Sequence, residues 1–148
     1  MILYHYTAKS RLESILREGL SRGEAPISAT RFKNAVNMTT DSRPDGHGLD
    51  AAGKIVSEQE SAFYAAKFGW DVPAGTKLEN KKAVRLKVKL PSSDRSLKPW
   101  LPWARKHAEP DFLDCLMRSS GGIVKARTWW LYFGTIPPSA FVSVDHLA

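Results

Sequence analysis

Cysteine is nearly absent from this chain of 148 residues. Cys115 stands alone, so no internal disulfide can form, and a reducing, cytoplasmic setting is expected. It lies in an apolar, helix-like stretch, where a buried structural thiol is expected rather than a nucleophile. Long hydrophobic runs are also missing. None approaches the roughly 20 apolar residues of a membrane-spanning helix, so no membrane partner is expected. No basic segment precedes the short apolar run at the N-terminus, which argues against a signal peptide. The histidines, His5, His47, His107 and His146, include no pair at helical ligand spacing, and no metal site is expected. Gly46-His47-Gly48 lacks the spacing and the Lys-Ser/Thr of a nucleotide P-loop. No second His-x-Ser/Thr triplet accompanies His5-Tyr6-Thr7, which excludes a two-histidine phosphoesterase.

Acidic residues are the scarcer charge. Lys and Arg number 22 against 15 Asp and Glu, a formal charge of +7. Such a surface suits phosphate-bearing partners, although a basic protein with no such partner fits the same number. The length suits one domain with one core.

What is present is more directive. Residues 1–6 read as a strand that ends in the polar His5-Tyr6-Thr7. Ser10 and Glu13 have capping-box spacing, and Leu12, Ile15, Leu16 and Leu20 share one helical face. A helix over 10–18 is predicted, with Gly19 at its stop. Residues 21–34 read as loop and 35–39 as a short strand, followed by a dense turn signal over 40–48. Ser57 and Glu60 give a second capping box for a helix to about Phe68. Residues 70–80 read as a linker.

Val84, Leu86, Val88 and Leu90 alternate with Arg85, Lys87 and Lys89, the clearest strand in the chain. With Lys82 close by, its cationic face is a candidate nucleic-acid patch or a solvated face. Residues 97–108 read as a helix broken near Pro102, or as two turns. Pro110 opens another helix, to about Met117. Residues 128–133 read as an aromatic strand and 141–144 as a last one. An early helix followed by strand-rich segments indicates α+β.

Leu3-Tyr4-His5-Tyr6-Thr7, the run from Leu12 to Gly19-Leu20, Val36-Asn37-Met38-Thr39-Thr40-Asp41 and Trp129-Trp130-Leu131-Tyr132-Phe133-Gly134 together resemble ADP-ribosyltransferase-like proteins. That group includes bacterial ADP-ribosyltransferase toxins and tRNA 2′-phosphotransferases. The resemblance implies a single domain over 1–148 with a split β-sheet and flanking helices, and an insertion at about 52–82. It implies NAD as substrate and a nucleic-acid or protein acceptor. His5, Tyr6, Thr7, Thr39, Thr40, His47 and Trp129 would then hold NAD, with His5 on the ribose or amide.

The family's late-strand carboxylate has no counterpart in Lys125-Ala126-Arg127-Thr128-Trp129. Glu109 and Asp111 are therefore the candidate catalytic acids beside His5, with Asp114, Glu58 and Glu60 also available. The same departure keeps two alternatives open. One is an RNA 2′-phosphotransferase relying on Arg31, Arg43, His47 and Arg127. The other is a non-catalytic nucleotide- or nucleic-acid-binding module.

Overall fold

The computed structural model describes residues 1–148, the side chains of residues 67 and 68 excepted. The strands are β1 (Ile2–Thr7), β2 (Glu24–Pro26), β3 (Phe32–Asn34), β4 (Val36–Thr39), β5 (Val84–Lys89), β6 (Leu97–Pro99), β7 (Trp129–Tyr132) and β8 (Phe141–His146). The helices are α1 (Leu12–Glu18), α2 (Glu58–Phe68), α3 (Trp100–His107), α4 (Pro110–Ser119) and α5 (Gly122–Ala126). Six strands form one antiparallel sheet in the order β6-β7-β4-β1-β5-β8, and β2 and β3 form a separate hairpin. The α+β class and single domain follow. Among the described residues no helix is long and apolar enough to cross a membrane.

The sheet is not uniformly joined. β1 pairs with β5 along its whole length, from Ile2↔Lys89 to Thr7↔Val84. Its pairing with β4 is confined to Tyr4↔Thr39. Past that pair the strands part, and the sheet behaves as two three-stranded halves sharing a short seam.

Alternation along the strands assigns the two faces. Leu3, Val36, Met38, Leu86 and Val88 pack with Leu20 and Ile136 in one core, with Leu12 and Ile15 of α1, and with Trp130, against it. Leu131 belongs to a second core with Trp100, Leu101, Ala104 and Leu113 from α3 and α4. The eight largest fully buried side chains, among them Leu3, Leu86 and Leu131, each contribute roughly 1.5–3 kcal/mol by leaving water. The α3–α5 layer covers the β7–β4 half of its face. It leaves Tyr4 and Tyr6 of β1 at its margin, where a cleft opens.

Several local expectations change. The Ser10–Glu13 capping box does not form. Residues Lys9–Arg11 make a 3-10 turn, α1 starts at Leu12, and no side chain caps it. Gly19 does end α1, at φ 88°, and a Cβ there would lie 2.3 Å from the Ile136 carbonyl oxygen. Glycine thus lets Leu20 and Ile136 exchange backbone hydrogen bonds of 2.9 and 2.8 Å.

The Ser57–Glu60 box forms in both directions. Residues 21–34, read as loop, contain the β2–β3 hairpin, whose three-residue strands are too short to show a period. Residues 97–108 give β6 and then an unbroken α3, because Pro102 falls in the first turn, where no amide is needed. Helix α5 was not expected, and Cys115 is exposed on α4, not buried. Residues 53–56 and 75–78 zip together through an Ile55↔Lys77 bridge, closing an excursion that carries α2.

Candidate functional site at the seam

A cavity of about 750 Å³ lies where β1 and β4 part, within the range typical of small-molecule sites. His5, Tyr6, Thr39, His47 and Trp129, five of the residues the sequence singled out, line it together. Thr7 lines an adjoining cavity that shares His5 and Tyr6 with the first. Thr40 lines neither, and its amide is bonded to the Thr128 carbonyl. Glu109 and Asp111 also lie outside both cavities. Glu109 is the residue before α4 and sits 3.8 Å from Arg31, and Asp111 is exposed in the helix's first turn.

His5 spans the opening. Its Nδ1 is 2.8 Å from the Asn37 carbonyl oxygen. A carbonyl only accepts, so Nδ1 carries the proton. In the neutral ring Nε2 is then an acceptor for a ligand hydroxyl. Desolvation pulls this imidazole below its ordinary value, against the opposing effect of the Asn37 carbonyl, and it is neutral at pH 7.

The wall on the β4–β7 side is bonded to itself. Trp129 Nε1 donates to His47 Nδ1 at 2.8 Å. An indole can only donate, so His47 is neutral there and its Nε2–H faces the Arg43 carbonyl (3.1 Å) and Asp41 Oδ2 (3.3 Å). Desolvation first, then the Lys125 charge, lowers the His47 pKa, with Asp41 opposing. Asp41 also takes Lys125 Nζ at 2.6 Å. Desolvation pushes its carboxyl up, but hydrogen bonds from Lys125 and the Arg43 amide, with the nearby charges, bring it below the ordinary value. The His47 side chain is 6 % exposed and that of Asp41 14 %.

Tyr6 donates to the Asp41 carbonyl at 2.9 Å and stacks on His47, and burial pushes its phenol up to about 12. Thr39 Oγ1 accepts from the Asp41 amide and lies 2.7 Å from Thr128 Oγ1, which donates to the Lys125 carbonyl. Trp129 meets Trp100 edge-on at 4.9 Å. These residues therefore offer the cavity ring faces and shape, while their polar atoms hold one another.

The other side of the cavity is different. Arg11, Arg22 and Lys81 line both cavities, and among the described residues none of them is in an ion pair. Glu24, on β2, is the one carboxylate among the described residues of the larger cavity's lining. It is exposed as a residue. Desolvation at the cavity wall nonetheless pushes its carboxyl up, with the Lys81 ammonium pulling the other way. None of the four was among the site residues read from the sequence. Arg22-Gly23-Glu24, a charge cluster just past the Gly19 stop, was the available signal.

The candidate nucleic-acid residues on the open sheet face divide. Arg85 is paired with Asp145 at 3.1 Å, donates to the Ser42 carbonyl at 2.6 Å and lies over the Tyr4 ring. Lys82 is held by Asp50 at 2.5 Å. Among the described residues Lys87 and Lys89 make no ion pair, and Lys89 is exposed. Among the described residues no cluster of three or more His, Cys, Asp or Glu side chains is placed to hold a metal ion. Compared with protein-family models, with curated proteins and with solved structures, the chain matches none.

Proposed function

We propose that the seam cleft binds NAD and that the chain is an ADP-ribosyltransferase-like enzyme, passing ADP-ribose to a macromolecular acceptor or to water. One observation carries this reading. Three cations that make no ion pair among the described residues and a single carboxylate converge on a cavity around the open Nε2 of His5. Arg11, Arg22 and Lys81 suit a pyrophosphate, His5 Nε2 a ribose hydroxyl, and the Trp129 side a planar base.

The chemistry assigned to this arrangement is a substitution at ribose C1′. The bond from C1′ to the nicotinamide nitrogen breaks, and nicotinamide leaves with the electron pair. Positive charge develops on C1′ and the ring oxygen, and a carboxylate stabilises it electrostatically. The acceptor's lone pair forms the new bond to C1′, and its proton passes to a base. Glu24 takes both roles in place of Glu109 and Asp111. A carboxyl raised toward neutrality is better matched to accepting a proton than an ordinary one.

The test is nicotinamide release from NAD by wild type and Glu24→Gln. Wild type should release it, and the variant should be slower by roughly 10²–10⁴-fold with an unchanged melting temperature. An unaffected rate would remove Glu24 from the mechanism. The same excess of cations favours a second reading, the RNA 2′-phosphotransferase. That enzyme would leave NAD intact until 2′-phosphorylated RNA is supplied. NAD binding with no release under either condition would make this a binding module.

A further inference from the structure

The mouth of the cavity carries two partly exposed aromatic side chains. Phe32, on the hairpin β2–β3, is 42 % exposed, and Trp70, just past α2, is 36 % exposed. Both line the seam cavity. Their ring centres are 6.4 Å apart with planes tilted by 53°, and Tyr64 lies 6.0 Å from Trp70. Phe63, next along α2, is exposed as well. The sequence reading placed Phe32 in a loop and Trp70 in a linker, so neither was given a role.

Cations outnumber acids on the hairpin, where Glu24 on β2 is the single carboxylate. Arg31 and Lys33 flank Phe32 along the chain, and both are exposed. Arg22 and Lys81 lie in the lining of the same cavity. Exposed aromatics interleaved with cations match the chemistry of a polyanion that presents flat, apolar faces. Single-stranded nucleic acid has that chemistry, with bases free to stack and phosphates between them. A duplex hides its bases in its own stack. Two rings tilted by 53° cannot lie flat on one base together, whereas a flexible strand can turn successive bases to meet each.

We propose that Phe32 and Trp70 form a base-stacking subsite for a single-stranded nucleic acid, which enters at the cavity mouth and serves as the acceptor of the reaction. Its naming as acceptor rests on the donor reading given above, and its binding does not. Phe32 stacks one base, Trp70 a neighbouring one, and Lys33 attracts the phosphates. The strand thereby brings a nucleotide toward His5 and Glu24 in the same cavity.

The experiment is fluorescence anisotropy of a labelled single strand of about 12 nucleotides, as DNA and as RNA, at several salt concentrations and without NAD. Wild type should bind the single strand more tightly than the matching duplex. Phe32→Ala and Trp70→Ala should each weaken binding by roughly 5- to 150-fold. Phe32→Tyr and Trp70→Phe should restore most of it, which separates stacking from general damage to the fold. Lys33→Glu should lower the salt slope by about 0.7.

Undetectable binding at low salt, equal affinity for duplex, or no effect of either ring would overturn the proposal. So would ADP-ribose transfer to protein alone. A strand that binds as described, with no nicotinamide released from NAD, would instead overturn the donor reading and leave the subsite standing. Nicotinamide release without strand binding would do the reverse.

Discussion

The two sides of the seam cleft are built from similar polar residues and use them in opposite ways. On the β4–β7 side, Tyr6, Thr39, His47 and Trp129 meet Asp41, Lys125 and Thr128 in a closed hydrogen-bonded set. On the β2 and α1 side, Arg11, Arg22 and Lys81 line the cavity and make no ion pair among the described residues. The first arrangement satisfies buried donors and acceptors, which are expensive to leave unmade. The second leaves cations hydrated and available to an anion. The closed wall therefore shapes the cleft, and the open wall recognises the ligand. His5 stands between them, with one nitrogen bonded to Asn37 and the other toward the cavity.

Four variants would break or sharpen this contrast. Changing Arg22 and Lys81 together to Gln should have the largest effect. Each charge-assisted bond to a phosphate contributes about 1.5–3 kcal/mol, so NAD affinity by calorimetry should fall at least a hundredfold. The melting temperature should stay nearly constant, because exposed substitutions outside paired networks change stability by about 0.5 kcal/mol or less.

Lys125→Met should show the reverse pattern. It takes the 2.6 Å ammonium from the largely buried Asp41 carboxylate, and chemical denaturation should report a loss of roughly 1–3 kcal/mol. Residual NAD binding should persist where the protein is folded. Trp129→Phe keeps a ring but removes the indole donor to His47 Nδ1, and should cost about 1–2 kcal/mol for the unmet acceptor.

The smallest effect is in the pH dependence. His47 and His5 have folded values below the ordinary one of about 6.5. Between the folded value and 6.5 the unfolded chain binds more protons, so stability rises with pH across that window and falls on acidification. Melting temperature should thus drop as pH falls from 7 to 5. His47→Asn, whose amide oxygen can still accept from Trp129, should flatten part of that slope. Asp41, also lowered, adds a further loss at more acidic pH, below the ordinary carboxyl range.

This contrast also explains what the sequence could and could not disclose. Alternation in β5 and the Ser57–Glu60 box are local signals, and both are realised in the fold. The polar ends of β1 and β4 marked the cleft correctly, since His5 and Thr39 both line it. Sequence could not say whether such groups face a ligand or one another. His47 and Trp129, 82 positions apart, become partners only through the sheet order. Glu24 escaped notice for the same reason. Its three-residue strand shows no period, and its approach to Lys81 is made by the fold. Glu109 and Asp111 were candidates because the start of the aromatic strand has no carboxylate, and the opening of α4 places both outside the cavity lining.

A crystal structure with NAD bound tests the central claim most directly. The account predicts the pyrophosphate against Arg11, Arg22 and Lys81, a ribose hydroxyl on His5 Nε2, and C1′ on the Glu24 side. The Asp41–His47–Trp129 set should be unchanged from the free protein. NAD found outside the seam cavity, or seated there only after that set has broken to bind it, would contradict the division of the cleft into a closed wall and an open one.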